Sequence, residues 1–108
     1  MEIAELQEKV DEWIKTYGVR YFSVLTNMTI LTEEIGELAR VVARKYGDQS
    51  FKKGEEDNMA DELADIIYVV TCLANQTGIN LEDAIKKNFD KKSKRDSMRH
   101  LNNPKLSH

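Results

Sequence analysis

Five carboxylates in two short clusters carry the spacing that could do chemistry: Glu33, Glu34 and Glu37 within EEIGE, and Glu62 and Asp65 within ELAD. Each cluster sets two acids three residues apart, which on a helix is roughly one turn at about 100° per residue. Glu34 and Glu37 then share the flank that carries Ile30 and Val41, beside a separate apolar stripe. Glu62 projects between Ile66 and Val69, inside an apolar arc, with Asp65 at the arc's edge next to Cys72. Like charges one turn apart repel, and carboxylates facing a neighbouring helix are costly to desolvate without a compensating charge. A metal ion supplies that charge. Glu34, Glu37, Glu62 and Asp65 offer oxygen donors with no histidine among them, which suits a hard cation, magnesium with manganese as a substitute, better than zinc or iron. A lone EExxE is ordinarily a solvated helix face; two acidic clusters on consecutive core-facing arcs are a different pattern.

The elements that must hold these acids read as helices. Ile3, Leu6, Val10, Trp13 and Ile14 recur at three- and four-residue spacing and predict a first helix from about Glu2 to Tyr17, closed by Gly18. A second, long helix runs from Ser23 to Tyr46 on the stripe Val24, Met28, Leu31, Ile35, Leu38 and Val42, with Gly47 as its stop. Residues 47–56, GDQSFKKGEE, form an exposed loop able to close over something. A third helix from Asp57 to Gln76 has Met59, Leu63, Ile66, Ile67, Val70 and Leu73 as its core residues. Asn80 caps a fourth, which runs to Ser97. Residues 1–99 thus form a single all-α domain, a four-helix bundle, and 100–108 a flexible tail.

Bulk properties narrow the function. The 108 residues are too few for two independent cores. A hydrophobic content of 41% with 32% charged residues is a balance common in small helical proteins that bury faces against a partner. A second copy is therefore expected to complete the bundle, as a homodimer or a dimer of dimers, because the long second and third helices offer more apolar face than one short chain covers. The net charge of −3 gives no reason to expect nucleic acid or an anionic membrane as partner. A single cysteine and an N-terminus without an apolar signal core point to a reducing, cytoplasmic location. Cys72, among apolar neighbours, reads as packing, and Trp13, Tyr17, Tyr21 and Phe22 read mostly as core. His100 and His108, in the tail, suggest nothing catalytic.

The run LTEEIGELARVV followed by DELADIIYVVTCLANQTGINLEDA resembles the MazG-like nucleotide pyrophosphohydrolases of the all-α NTP pyrophosphatase superfamily, whose pattern is EExxE, a variable spacer, then ExxD. The resemblance spans residues 21–99, with 24 residues between Glu37 and Glu62. It implies that Glu34, Glu37, Glu62 and Asp65 coordinate magnesium, with Glu33 as a further ligand or as the base that orients water. It implies as activity the magnesium-dependent hydrolysis of (d)NTP to (d)NMP and pyrophosphate, in nucleotide-pool house-cleaning. The resemblance extends to Lys91, Arg95, Asp96 and Arg99, although Ser93 stands where relatives often have asparagine.

Lys87, Lys91 and Arg95 recur every fourth residue on the basic fourth helix, with Arg99 next in line, an arrangement suited to phosphate oxygens. Lys52 and Lys53 in the loop are secondary candidates for the leaving pyrophosphate. Two rival readings compete with this one. A di-iron carboxylate bundle would need ExxH, where this chain has ExxD. A non-catalytic helical dimerisation or regulatory module would leave its acids merely solvated.

Overall fold

Hydrogen-bonding side chains set two of the helix starts. In a computed structural model of the chain, which describes residues 1–106, Ser23 Oγ accepts from the Thr26 amide (3.1 Å) ahead of α2, and Asn80 Oδ1 accepts from the Asp83 amide (3.1 Å) ahead of α4. The helices are α1 (Ile3–Trp13), α2 (Val24–Tyr46), α3 (Met59–Gln76) and α4 (Leu81–Asp96). No strand occurs among the described residues, so the chain is all-α with four helices. Residues 97–106 continue as successive turns; the end of the 100–108 tail, with His108, lies outside the described residues.

The last turn of the first helix departs from expectation. It widens into a π-helical turn over Ile14–Gly18. Val19 comes next at φ 71°, ψ −53°, and the Arg20 amide donates to Gly18 O at 2.8 Å. That is a γ-turn with a β-branched residue in the left-handed region, a strained conformation.

The helices α2 and α3 pack along each other, α1 lies against α3, and α4 against α1. The small core is Val10, Ile14 and Cys72, with Leu6, Tyr21 and Tyr68 packed around it. Two expectations about packing are corrected. The face that α2 turns to α3 carries Asn27, Ile30, Glu34 and Val41, whereas Val24, Met28 and Ile35 of the predicted stripe are exposed. Leu63, Ile67 and Val70 of α3 are likewise exposed, and its buried residues are Glu62, Val69, Thr71, Cys72 and Ala74. Helical geometry sets both uncovered rows on the side of the α2–α3 pair opposite α1, so a single chain has nothing to lay over them.

A polar knot fastens α1 to the rest. Asn75 Nδ2 donates to Gln7 O and to the Tyr21 hydroxyl, both at 3.0 Å, and its Oδ1 accepts from Gln7 Nε2 at 3.0 Å. Gln7 continues to Ile79 O (2.8 Å) and accepts from the Leu81 amide (2.9 Å), while the Tyr21 hydroxyl donates to Asp11 (2.8 Å). One residue of α3 thus joins α1, the segment before α2 and, through Gln7, the start of α4. Asn75→Ala leaves several of these part-buried groups unpaired and is expected to lower stability by about 2–4 kcal/mol. Urea denaturation checks this, and an unchanged midpoint would show that the knot adds nothing to stability.

Candidate active site

Antiparallel packing of α2 on α3 brings the acids together. At one end of the pair Asn27 Nδ2 donates to Gln76 Oε1 at 2.8 Å. Further along, one carboxylate oxygen each of Glu34, Glu62 and Asp65 lies within 4.8 Å of the others. Glu62 is only 6% exposed. Its Oε1 accepts from Asn58 Nδ2 at 3.1 Å, but its Oε2 and the Oε2 of Glu34 are buried with no hydrogen-bond partner.

Two orphaned carboxylate oxygens on clustered acids are costly unless protons or a cation neutralise them. The titration behaviour agrees. Burial first, then the charges of Glu37 and Asp65, push the Glu34 carboxyl above the ordinary range. Burial, Glu37 and Glu34 do the same to Glu62, and burial, Asp61 and Glu37 to Asp65. Hard oxygen donors with unused lone pairs fit a cation such as magnesium or manganese, the class inferred from the residue types.

Two cavities adjoin more than one acid of the cluster, and a third, of about 470 Å³, reaches it through Asp65 alone. A cavity of about 400 Å³ shares Glu34 and Asp65 with the cluster and is otherwise lined largely by apolar and aromatic side chains, including Trp13, Tyr21, Phe22, Ile30, Tyr68 and Val69. Trp13 meets Tyr68 edge to face, with ring centroids 5.9 Å apart. The other cavity, about 260 Å³, shares Glu37 and Glu62 and is lined also by Arg40, Arg44, Glu55 and Asn58.

The aromatic residues correct an expectation. Trp13, Tyr17 and Phe22 are exposed rather than core: Trp13 ends α1 with its ring against Tyr68 on the cavity wall, and Tyr17 and Phe22 lie on the π turn and beyond the γ-turn. Only Tyr21 is half-buried. The buried thiol of Cys72 is pushed up by desolvation, consistent with packing and not with a nucleophile.

The remaining predicted site residues distribute unevenly. Glu37 is exposed at the cluster's rim, where its charge acts on Glu34, Glu62 and Asp65. Glu33 is exposed, and its charge is the smallest of the influences acting on Glu34. Lys91, Arg95 and Arg99 sit exposed on α4 and just beyond it, and none lines either cavity. Arg95 instead donates twice to Asp96, at 3.0 and 2.8 Å, and Arg99 lies 3.6 Å from the same carboxylate. Lys52 and Lys53 are exposed and line neither cavity. The cations beside the acids are Arg40 and Arg44, which sequence reasoning missed. Their signal was available: Glu37, Arg40 and Arg44 fall within one flank of α2.

Comparison with known proteins identifies the family. A family model described as the MazG nucleotide pyrophosphohydrolase domain matches residues 22–100. YpjD of Bacillus subtilis (strain 168) is 42% identical over 96 residues, 88% of this chain and 86% of that protein. The crystal structure of YPJD from Bacillus subtilis is similar with a TM-score of 0.75 at 40% identity, over 84% of this chain and 94% of that one. A crystal structure of the Bacillus-conserved MazG protein, a nucleotide pyrophosphohydrolase, matches with a TM-score of 0.72 at 37% identity, over 84% and 88%. The match begins at the turn into α2 and runs past α4, enclosing both acidic clusters; the chain therefore belongs to the MazG nucleotide pyrophosphohydrolase family, hydrolases that act on the pyrophosphate bonds of nucleotides.

Proposed function

We propose that this chain hydrolyses nucleoside triphosphates, ribo- or deoxyribo-, to the monophosphate and pyrophosphate, with magnesium held by Glu34, Glu37, Glu62 and Asp65. The observation that carries the reading is the clustering of Glu34, Glu62 and Asp65, with a buried carboxylate oxygen without a hydrogen-bond partner on each of Glu34 and Glu62. A cation neutralises such a cluster without requiring its carboxyls to keep their protons, and a triphosphate brings one with it. Magnesium, when bound, screens the triphosphate charge and makes water a better nucleophile; manganese can replace it.

The residues of the chain do the rest. The cavity that shares Glu34 and Asp65 has the size of a small-ligand pocket and offers aromatic faces to a nucleoside. Water attacks the α-phosphorus, forming one O–P bond, while the bond from that phosphorus to the bridging oxygen breaks and its electron pair leaves on pyrophosphate. Glu33, on the outer side of the cluster, orients the water and accepts its proton, while Glu37 at the solvent rim completes the carboxylate set that holds the metal. Lys91, Arg95 and Arg99 act on the phosphates of a neighbouring subunit, since α4 packs on α1 and away from the α2–α3 cleft. Lys52 and Lys53 serve as a secondary attraction for the charged substrate.

A second copy completes this reading. The chain exposes 8542 Å², against about 6,200 Å² for a folded monomer of its mass. Its radius of gyration is 17.8 Å, against about 13 Å for a compact chain of its length. The excess area of roughly 2,300 Å² matches what an obligate interface removes from water, and Met28, Ile35, Leu63, Ile67 and Val70 supply its apolar centre. We therefore propose a homodimer, or a dimer of dimers, acting on the cytoplasmic nucleotide pool. No helix among the described residues is long and apolar enough to cross a membrane.

Three measurements test the proposal. Incubation with magnesium and a panel of canonical and modified triphosphates is expected to release pyrophosphate and not orthophosphate. Glu37→Gln and Glu62→Gln should each reduce the rate at least roughly 100-fold, or about 2.7 kcal/mol of transition-state stabilisation. House-cleaning is the role if modified substrates outrank canonical ones; no release from any nucleotide would favour the regulatory-module reading.

Thermal melts supply the second test. The folded carboxyls hold their protons to higher pH than unfolded ones, so between the ordinary carboxylate value and the raised folded values the native state binds more protons. Metal-free stability should therefore fall as pH rises through that window. Magnesium should raise Tm, and by more at the upper end of the window. A pH-independent metal-free Tm would remove the cluster as a store of unfavourable charge.

Light scattering on a sizing column is the third. It is expected to give a dimer or tetramer, and Ile67→Asp or Met28→Glu should shift the mass toward the monomer. A monomeric wild-type chain at micromolar concentration would overturn the assembly.

A further inference from the structure

The cavity on the far side of the acids holds an ion arrangement that the chemistry proposed above leaves idle. One and two turns beyond Glu37, Arg40 and Arg44 point along the same flank of α2 and line the cavity with Glu37, Glu62 and Asn58. Arg44 is well enclosed, with its side chain 16% exposed and its Nε buried without a hydrogen-bond partner. The anion set between the two guanidiniums is Glu55. Its Oε2 accepts from Arg40 Nη2 at 2.7 Å, and its Oε1 lies 3.6 Å from Arg44 Nε. The Lys52 amide donates to the same Oε1 at 2.7 Å. That backbone hydrogen bond and the two arginines hold the Glu55 carboxyl below the ordinary range, so it stays charged in this contact.

Glu55 engages Arg40 at good distance yet leaves Arg44 Nε unsatisfied, so this carboxylate underfills the pair of guanidiniums. A larger anion with more oxygens fits the pair better, and guanidiniums bind phosphate oxygens in forked, charge-assisted contacts. The location selects the anion. The aromatic cavity shares Glu34 and Asp65 with the carboxylate cluster, whereas this one shares Glu37 and Glu62. A nucleotide with its nucleoside on the aromatic side and its α-phosphorus at the cluster directs its terminal phosphates here.

We propose that Arg40 and Arg44 form the subsite for the leaving pyrophosphate, and that Glu55 occupies it as an internal stand-in that the substrate displaces. The inference rests on the triphosphate reading above. It fixes the direction in which substrate lies along the cleft. When the bond between the α-phosphorus and the bridging oxygen breaks, the charge that develops on pyrophosphate lands between the two guanidiniums. Loss of pyrophosphate lets Glu55 return, so the loop that carries it competes with product for the same cations.

The test is calorimetric titration of inorganic pyrophosphate into the full chain with magnesium present, alongside inhibition of triphosphate hydrolysis by pyrophosphate and by nucleoside monophosphate. Arg40→Ala and Arg44→Ala should each weaken pyrophosphate binding and inhibition at least tenfold and leave inhibition by monophosphate unchanged. Glu55→Gln should tighten pyrophosphate at least threefold; a mere tether for the loop would loosen it or leave it unaltered. Should Arg44→Ala fail to fold, the more exposed Arg40 and the Glu55 variant carry the test. Hydrolysis accompanied by pyrophosphate affinity that neither arginine alters, or weaker binding in Glu55→Gln, overturns the subsite and leaves the triphosphate reading standing. Arginine-dependent pyrophosphate binding by a chain that hydrolyses no triphosphate upholds the anion site and removes the triphosphate reading instead.

Discussion

Three carboxylates pressed together between two helices form the constraint on which the rest of this structure depends. In the absence of a cation, Glu34, Glu62 and Asp65 oppose the packing of α2 on α3, because each is partly or fully desolvated and each feels the charge of another acid. The helices stay paired because other contacts hold them: Asn27 to Gln76 at one end, and the ties from Glu55 and Asp57 to Arg40 and Lys45 near the other. Polar fastening at the two ends of the cleft leaves its middle to unfavourable charge. Such a trade of stability for function is common at sites that bind ions.

The long helix α2 separates two tasks by angle. Its flank with Glu34, Glu37, Arg40 and Arg44 faces the cleft, while the row with Val24, Met28 and Ile35, roughly 100–180° away at about 100° per residue, faces outward. Binding chemistry and assembly therefore share one rigid rod. A displacement of the outward row would be felt at the carboxylates without any long chain of contacts between them.

Much of this was legible in the residues. Ser23 and Asn80 mark helix starts within one residue, because side-chain capping is local chemistry that a short window contains. The spacing of the acids placed Glu34 on the flank beside the apolar stripe and Glu62 inside an apolar arc, where both are found. The rotational setting of α2 was harder to read. The stripe from Val24 to Val42 is the stronger apolar signal, but a pattern does not say whether its cover comes from the same chain or another copy. Tyr17 and Phe22 misled for a related reason: helical spacing implies core only while the helix stays α, and here it widens after Trp13, which itself lines an open cavity. Arg40 and Arg44 resemble any solvated basic pair, and their meaning depends on Glu55, whose position a loop conformation decides.

The joint between α1 and α2 has a consequence for descent. A π turn opens the helical hydrogen-bond ladder and re-aims the chain beyond it, and at Ile14–Gly18 it does so just where the aromatic wall of the cavity beside Glu34 and Asp65 begins. The γ-turn at Val19 then sends the chain across to Tyr21 and Phe22. An insertion or deletion of a single residue in this joint would turn the aromatic wall while leaving the acids on α2 and α3 in register. Lineages of this fold can therefore alter the shape of the apolar pocket in small steps and keep the ion-binding cluster intact, so that ligand preference evolves on a different part of the chain from the chemistry.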